Sequence, residues 1–249
     1  MGIKATRLAK PARRKPTDVA KHRSPSSATR PKRLDGFPIV GIGASAGGLG
    51  AFKKFFGALP DDSGAAFVLI MHLDPTRESL VAELVGTYTT MPVVKIENGM
   101  RVEASHVYVI PPNAYLAISD RTLRLSEPTQ PRSHRMAIDH FLGSLADDQH
   151  ANAIGIVLSG SGTDGAIGLK KIKDADGLTM VEDPKTAQHD GMPRSALPSA
   201  DHVPAAEQLA SVLLRQLGRT AGEWPEADTE FLTGIPTSRP TGSRERSQA

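Results

Sequence analysis

Ser45 sits among small residues in Gly43-Ala44-Ser45-Ala46-Gly47-Gly48, after an apolar run (37–42) and before a segment with Leu49, Phe52, Phe55, Phe56 and Leu59 at helical spacing. That order reads as strand, tight turn, helix. Glycine and alanine let the backbone turn sharply and admit a close neighbour, and the first N–H groups of the helix have no intrahelical partner. Two chemistries fit: a phosphate held at the helix N-terminus, or a serine nucleophile beside ready anion donors. Two more loops bear on the choice. His72 ends the apolar run 65–71, in His72-Leu73-Asp74-Pro75, and Asp164 lies in Ser159-Gly160-Ser161-Gly162-Thr163-Asp164-Gly165 after the apolar run 153–158. Serine, histidine and aspartate are the set required for nucleophile, general base and orienting carboxylate. Imidazole is the side chain suited to moving a proton near neutral pH. Each residue also has a plainer reading. Ser45 fits a turn or a helix N-cap, His72 an ordinary loop position, and Asp164 the N-cap of the helix that follows it, a role compatible with catalysis.

These loops need elements that bring them together. Apolar runs at 37–42, 65–71, 91–96, 107–110, 153–158 and 178–181 read as strands. The longer ones are apolar throughout, as in a parallel sheet covered on both faces. Between them, helical spacing appears at 49–59, at Leu80, Leu84 and Val85, at Ile138, Phe141, Leu142 and Leu145, at Ile167, Leu169 and Ile172, and at 206–217. Residues 191–196 read as a loop or short helix. Alternating runs at 115–118 and 122–125 around Ser119-Asp120-Arg121 predict a hairpin at one sheet edge. The expectation is an α/β fold: a doubly wound, mostly parallel sheet with an antiparallel hairpin at one edge and helices on both faces. In such a sheet the C-terminal strand ends share one edge, where ligands bind. Ser45, His72 and Asp164 all follow strand ends.

Composition removes other classes. With no cysteine, disulfides, thiolate metal sites and cysteine nucleophiles are excluded. No apolar run approaches the ~18 residues of a membrane span. The net charge of +3 hides an asymmetry: residues 1–34 hold eleven Lys or Arg and one acidic residue, leaving 19 basic and 26 acidic residues for the remainder. A nucleic-acid-binding domain would itself carry the basic face, so nucleic acid is not the expected partner. The expected organisation is a disordered basic tail (1–34), one folded domain (35–218) and a disordered polar tail (219–249). The dinucleotide reading lacks the acidic residue expected at the end of the second strand, where Met71-His72 stands, and no Walker-type Gly-Lys-Ser/Thr occurs. His140 beside Asp139 lacks metal-ligand spacing, and His106, His134, His150, His189 and His202 are scattered, so no metal is expected.

Over residues 37–217 the chain resembles the catalytic domain of CheB-type protein-glutamate methylesterases. The resemblance rests on Gly43-Ala44-Ser45-Ala46-Gly47-Gly48, His72-Leu73-Asp74-Pro75, Gly160-Ser161-Gly162-Thr163-Asp164-Gly165-Ala166 and Gly191-Met192-Pro193. Val107-Tyr108-Val109-Ile110-Pro111-Pro112-Asn113 and Ile138-Asp139-His140-Phe141 are similar to the branch fused to CheR-type methyltransferase and sensor-kinase modules. The resemblance implies a cytoplasmic serine hydrolase that needs no cofactor. It would cleave glutamyl methyl esters on chemoreceptor helices and, in some members, deamidate receptor glutamines. Ser45 matches the nucleophile, His72 the base and Asp164 the orienting acid. Backbone N–H groups around Ala46, Gly47, Ser161 and Gly162 would meet the oxyanion. Implied partners are methylated receptor helices, CheR-type methyltransferases and sensor kinases. The alternative is a catalytically idle interaction module of the same fold. Chemotaxis members usually carry methionine where Ser161 stands, and an N-terminal receiver domain where ~34 residues precede this domain; that length is short of a domain. The expectation is activity that is constitutive or controlled by other means.

Overall fold

The computed structural model describes Gly2 and residues 36–72, 80–131 and 134–218. The basic segment 3–34, the polar segment 219–249 and Leu73-Asp74-Pro75 lie outside the described residues. Within the unit that begins at Lys32, the elements are β1 (Ile39–Ala44), α1 (Gly48–Gly57), β2 (Ala66–Met71), α2 (Val81–Gly86), β3 (Val93–Lys95), β4 (Val107–Val109), β5 (Tyr115–Ser119), β6 (Thr122–Ser126), α3 (Ala137–Gln149), β7 (Ala153–Val157), α4 (Ala166–Asp174), β8 (Leu178–Val181), α5 (Gly191–Ala196) and α6 (Leu209–Gln216). The alternation expected from apolar spacing is present. Residues 191–196 are helical, and a short 3₁₀ turn at Ala206–Gln208 precedes α6.

Six strands form one parallel sheet in the order β3-β4-β2-β1-β7-β8. The chain runs outward from β1 through β2 to one edge, then returns to place β7 on the other side of β1. The topological switch therefore falls at the C-terminal end of β1, where an open α/β sheet binds its ligands.

Alternation along the strands sorts side chains to two faces. Val40, Ile42, Phe67 and Leu69 meet Phe52, Phe55 and Phe56 of α1, with Val85 of α2 and Leu209 and Leu213 of α6 in the same core. Ile39, Val68 and Ile70 face the other way, towards Ile138, Phe141 and Leu142 of α3, Leu169 and Ile172 of α4, and Met192 of α5. Helices thus cover both faces. Gly43 belongs to this second face. A Cβ there would lie 2.3 Å from Ile138 Cγ2, so the glycine admits the first turn of α3 directly onto β1. Gly41, on the same face, leaves room for Phe141, Leu142 and Leu145 of α3 in the same way.

One expected placement is corrected. The hairpin β5–β6 does not extend the main sheet; it is a separate two-stranded antiparallel sheet. Leu116, Ile118 and Leu123 turn into the α3-side core, and the Ile118 N–H donates to Ser144 Oγ on α3 at 3.0 Å. Burying one apolar face on a helix gives a two-stranded ribbon the support it cannot supply alone.

Candidate active site

Ser45, His72 and Asp164 leave three neighbouring strands. Ser45 follows Ala44, the last residue of β1, and Ala44 is in register with Met71 of β2, so Ser45 and His72 emerge at one level. On the other side Gly43 pairs with Val157 of β7, and the β7–α4 loop carries Asp164 back over the same edge. His72 Nδ1 lies 3.3 Å from Ser45 Oγ, and His72 Nε2 lies 2.8 Å from Asp164 Oδ2. The Asp164 side chain is 3% exposed, whereas that of His72 is 35% exposed. With the imidazole proton on Nε2 donated to Asp164, Nδ1 is left to accept the Ser45 hydroxyl proton.

A buried carboxylate needs hydrogen-bond donors beyond one histidine. Asp164 finds them on α3: Oδ2 accepts the Ile138 N–H at 3.0 Å and Oδ1 accepts the Asp139 N–H at 2.9 Å. These donors sit in the first turn of a helix, whose dipole favours negative charge there. Asp164 therefore does cap a helix, but not the one that follows it. Gly165, at φ 96°, occupies the N-cap position of α4 with no side-chain cap, and the carboxylate turns to α3 instead.

The serine loop is tied down by residues that sequence reasoning did not single out. The Ser45 N–H donates to the Ser159 carbonyl at 3.0 Å, and the Gly48 N–H closes the turn onto the Ser45 carbonyl at 3.0 Å. Ser159 Oγ donates to the Ala46 carbonyl at 3.0 Å and accepts the His189 N–H at 2.9 Å. The Ser159 N–H in turn donates to Glu182 Oε2 at 2.8 Å. Glu182 is 2% exposed. Burial pushes its carboxyl above the usual range, Glu207 adds to this, and the Ser159 N–H and Lys54 oppose it. Met192 of the Gly191-Met192-Pro193 segment packs under Gly160 beside Ser45. One signal could have located Glu182: it directly follows a buried strand at the functional edge, as His72 does.

A cleft of about 350 Å³ opens beside the triad, lined among others by Met71, His72, Asn113, Arg135, Ser161 and Asp164. Arg135 enters it as a cation braced by Asn113 Oδ1 at 2.8 Å and the Gln130 carbonyl at 3.0 Å. The four expected oxyanion-supporting residues divide between two places. Ser161 and Gly162 are exposed and line the cleft with His72 and Asp164. Ala46 and Gly47 lie on the serine side, with Gly47 at φ 79° as the N-cap of α1. Among the described residues no group of three or more His, Cys, Asp or Glu side chains could hold a metal ion. No described helix is long and apolar enough to cross a membrane.

A serine, a histidine and a buried aspartate in hydrogen-bonded series occur on unrelated folds, so the fold around them decides the family. Residues 40–213 match the profile of the CheB methylesterases. The chain belongs to the CheB methylesterase family. The solved structure of the Thermotoga maritima CheB methylesterase catalytic domain superposes with a TM-score of 0.68 at 27% identity, covering 74% of this chain and all of that one. A Leptospira interrogans relative, provisionally named a protein-glutamate methylesterase/protein-glutamine glutaminase, is 32% identical over 182 residues, 72% of this chain and 94% of its own length. A Burkholderia pseudomallei protein-glutamate methylesterase/protein-glutamine glutaminase is 32% identical over 190 residues. A Burkholderia orbicola protein of the same name is 34% identical over 186 residues. The matched regions are 75% and 74% of this chain but only 56% and 55% of those two proteins. The family match runs through β1 to α6, the same span that forms the sheet and its helices.

Proposed function

We propose that this family member is a protein-glutamate methylesterase, with Ser45 as nucleophile, His72 as base and Asp164 as orienting acid. The observation that carries the assignment is the unbroken series Ser45 Oγ, His72 Nδ1, His72 Nε2, Asp164 Oδ2, at the switch point of a CheB-family sheet. The family and the names of its relatives support methylated protein glutamates as the substrate class; cytoplasmic helices of chemoreceptor-like proteins are the carriers that the resemblance implies. The same names support deamidation of protein glutamines as a second reaction, for which Ser45 would again be the nucleophile.

In the reaction, Ser45 Oγ attacks the ester carbonyl carbon while His72 Nδ1 removes the hydroxyl proton. Asp164 holds the Nε2–H and favours the imidazolium so formed. The carbonyl oxygen becomes an oxyanion, met by backbone N–H groups of the Ala46–Gly47 turn and the Ser161–Gly162 loop. Each such donor contributes about 3 kcal/mol to the transition state. Collapse breaks the bond to methoxide, which takes the proton from His72 and leaves as methanol. Water then attacks the Ser45 acyl ester with the same proton exchange, releasing glutamate and restoring the serine. With a glutamine side chain, ammonia leaves in place of methanol. The cleft beside His72 would receive the substrate segment, with Arg135 facing it. CheR-type methyltransferases and sensor kinases, suggested by the branch that the chain resembles, are partners to test by co-purification.

Methanol release from a methylated receptor preparation tests the reading. The protein is expected to release methanol and to label with a fluorophosphonate. Ser45→Ala is expected to abolish both while keeping its melting temperature. Folded protein that neither labels nor releases methanol would leave the idle interaction module of the same fold as the answer.

A further inference from the structure

The first turns of α3 and α4 have an unusual arrangement. Neither helix carries its own side-chain N-cap: Met136 occupies that position in α3 and Gly165 in α4. Each is served by an aspartate from the other. Asp164, two residues before α4, accepts the Ile138 and Asp139 N–H groups of α3. Asp139, in the first turn of α3, accepts the Gly168 N–H of α4 at 2.7 Å through Oδ1. The two helix starts also touch directly. A Cβ on Gly168 would lie 3.0 Å from both Asp139 Cα and the Asp139 carbonyl oxygen, and 2.6 Å from Leu142 Cβ. Asp164 thus stands between two helix N-termini locked by crossed hydrogen bonds, with no slack in the backbone approach.

We propose that Asp139 is a positioning residue for the reaction: by holding α4 to α3 through Gly168, it fixes the Asp164 carboxylate on His72 Nε2. The inference rests on the assignment of Ser45, His72 and Asp164 as the working triad. Its physical basis is that Asp164 Oδ2 is shared by the Ile138 N–H and His72. A shift of the α3 turn relative to α4 therefore moves the oxygen that orients the imidazole. Displacements near 1 Å at a catalytic group cost on the order of 100-fold in rate. The requirement is for an acceptor at this position, since the contact made is with a backbone N–H. Asp139 Oδ2 is buried with no directed partner. Burial, and secondarily the Asp164 carboxylate, push the Asp139 carboxyl upward against the pull of the nearby N–H groups. Charge at this position is a burden on the fold, which makes the acceptor and the charge separable by substitution.

Three variants of the full chain separate them. Asp139→Asn keeps the acceptor and removes the charge. Asp139→Glu keeps the charge and displaces the acceptor by one methylene. Asp139→Ala removes both. Turnover is read as methanol release, and the His72 tautomer as the ring nitrogen shifts in ¹⁵N-histidine-labelled protein. Asp139→Asn is expected to stay within about 3-fold of the parent kcat and to keep the His72 proton on Nε2. Asp139→Glu and Asp139→Ala are expected to lose on the order of 10- to 100-fold in kcat with little change in KM, and to show a mixed tautomer while folded. Equal activity and tautomer in all three variants would overturn the inference. So would a loss in Asp139→Asn as large as in Asp139→Ala, or a loss that tracks only the unfolded fraction. If the parent protein releases no methanol, the proposed function falls, while the tautomer comparison still decides the role of Asp139.

Discussion

Asp164 performs two tasks with one carboxylate, and the two can be pulled apart. Its oxygens orient His72 and satisfy the first turn of α3. Asp164→Asn keeps one acceptor for the Asp139 N–H but puts an amide donor where Oδ2 meets both His72 and the Ile138 N–H, which imposes the wrong tautomer on His72 and gives up half the cap. It is expected to lower kcat by about 10⁴-fold with a melting temperature below the parent's, since one of the two cap bonds is lost. Asp164→Ala loses the rest of the cap as well, so it should be as inactive and also less stable by about 1 kcal/mol. Thermal melts read beside methanol-release rates check the pair. Equal melting temperatures for Ala and Asn would show that the retained bond to the Asp139 N–H contributes nothing. His72 carries no such double duty: its ring bridges Ser45 and Asp164, and its partial exposure leaves it open to the cleft.

At the level of elements, the site depends on how closely α3 approaches β1 and on how β8 supports β7. Gly43→Ala places a methyl 2.3 Å from Ile138 Cγ2, and Ile138 is the residue whose N–H holds Asp164. Overpacking of this kind costs about 1–3 kcal/mol. The variant should therefore melt lower and also turn over more slowly in its folded fraction; a lower melting temperature with unchanged kcat would detach α3 packing from the triad. Glu182 presents the opposite case, a buried acid whose carboxyl is raised mainly by desolvation. A raised acid is held more tightly protonated in the folded state, so stability falls as pH rises from its ordinary value through the folded one. Glu182→Gln keeps an acceptor for the Ser159 N–H and removes that penalty. Its melting temperature should exceed the parent's at about pH 8 and converge with it near pH 4, measured by calorimetry across that range. A constant difference at all pH values would refute the assignment.

Over the whole molecule, Ser45, His72 and Asp164, separated by up to 119 positions, meet because β2, β1 and β7 are adjacent. We propose that residues 35–218 suffice for folding and hydrolysis, since the flanking stretches are poor in apolar side chains and the sheet with its helices lies within 36–218. A protein trimmed to 35–218 should melt within about 2 °C of the full chain and retain methanol release; a fall beyond that would assign the flanks a structural role. Much of this was legible in the chain itself. Uninterrupted apolar runs marked parallel strands, helical spacing marked the covering layers, and strand ends marked Ser45, His72 and Asp164, because these are local periodicities that burial enforces. The hairpin's turn was legible too, but its support on α3 was not, since an alternating ribbon does not specify which apolar surface covers it. Nor could sequence show that Asp164 caps α3 instead of α4, that Ser159 and Glu182 anchor the serine turn, or that Asp139 closes the bracket with Gly168. Those contacts join residues 23 to 114 positions apart. The chain's own pattern determined which residue types stand at strand ends. Tertiary structure decided which donor meets which acceptor, because hydrogen-bond geometry across loops depends on distances between elements that no local spacing encodes.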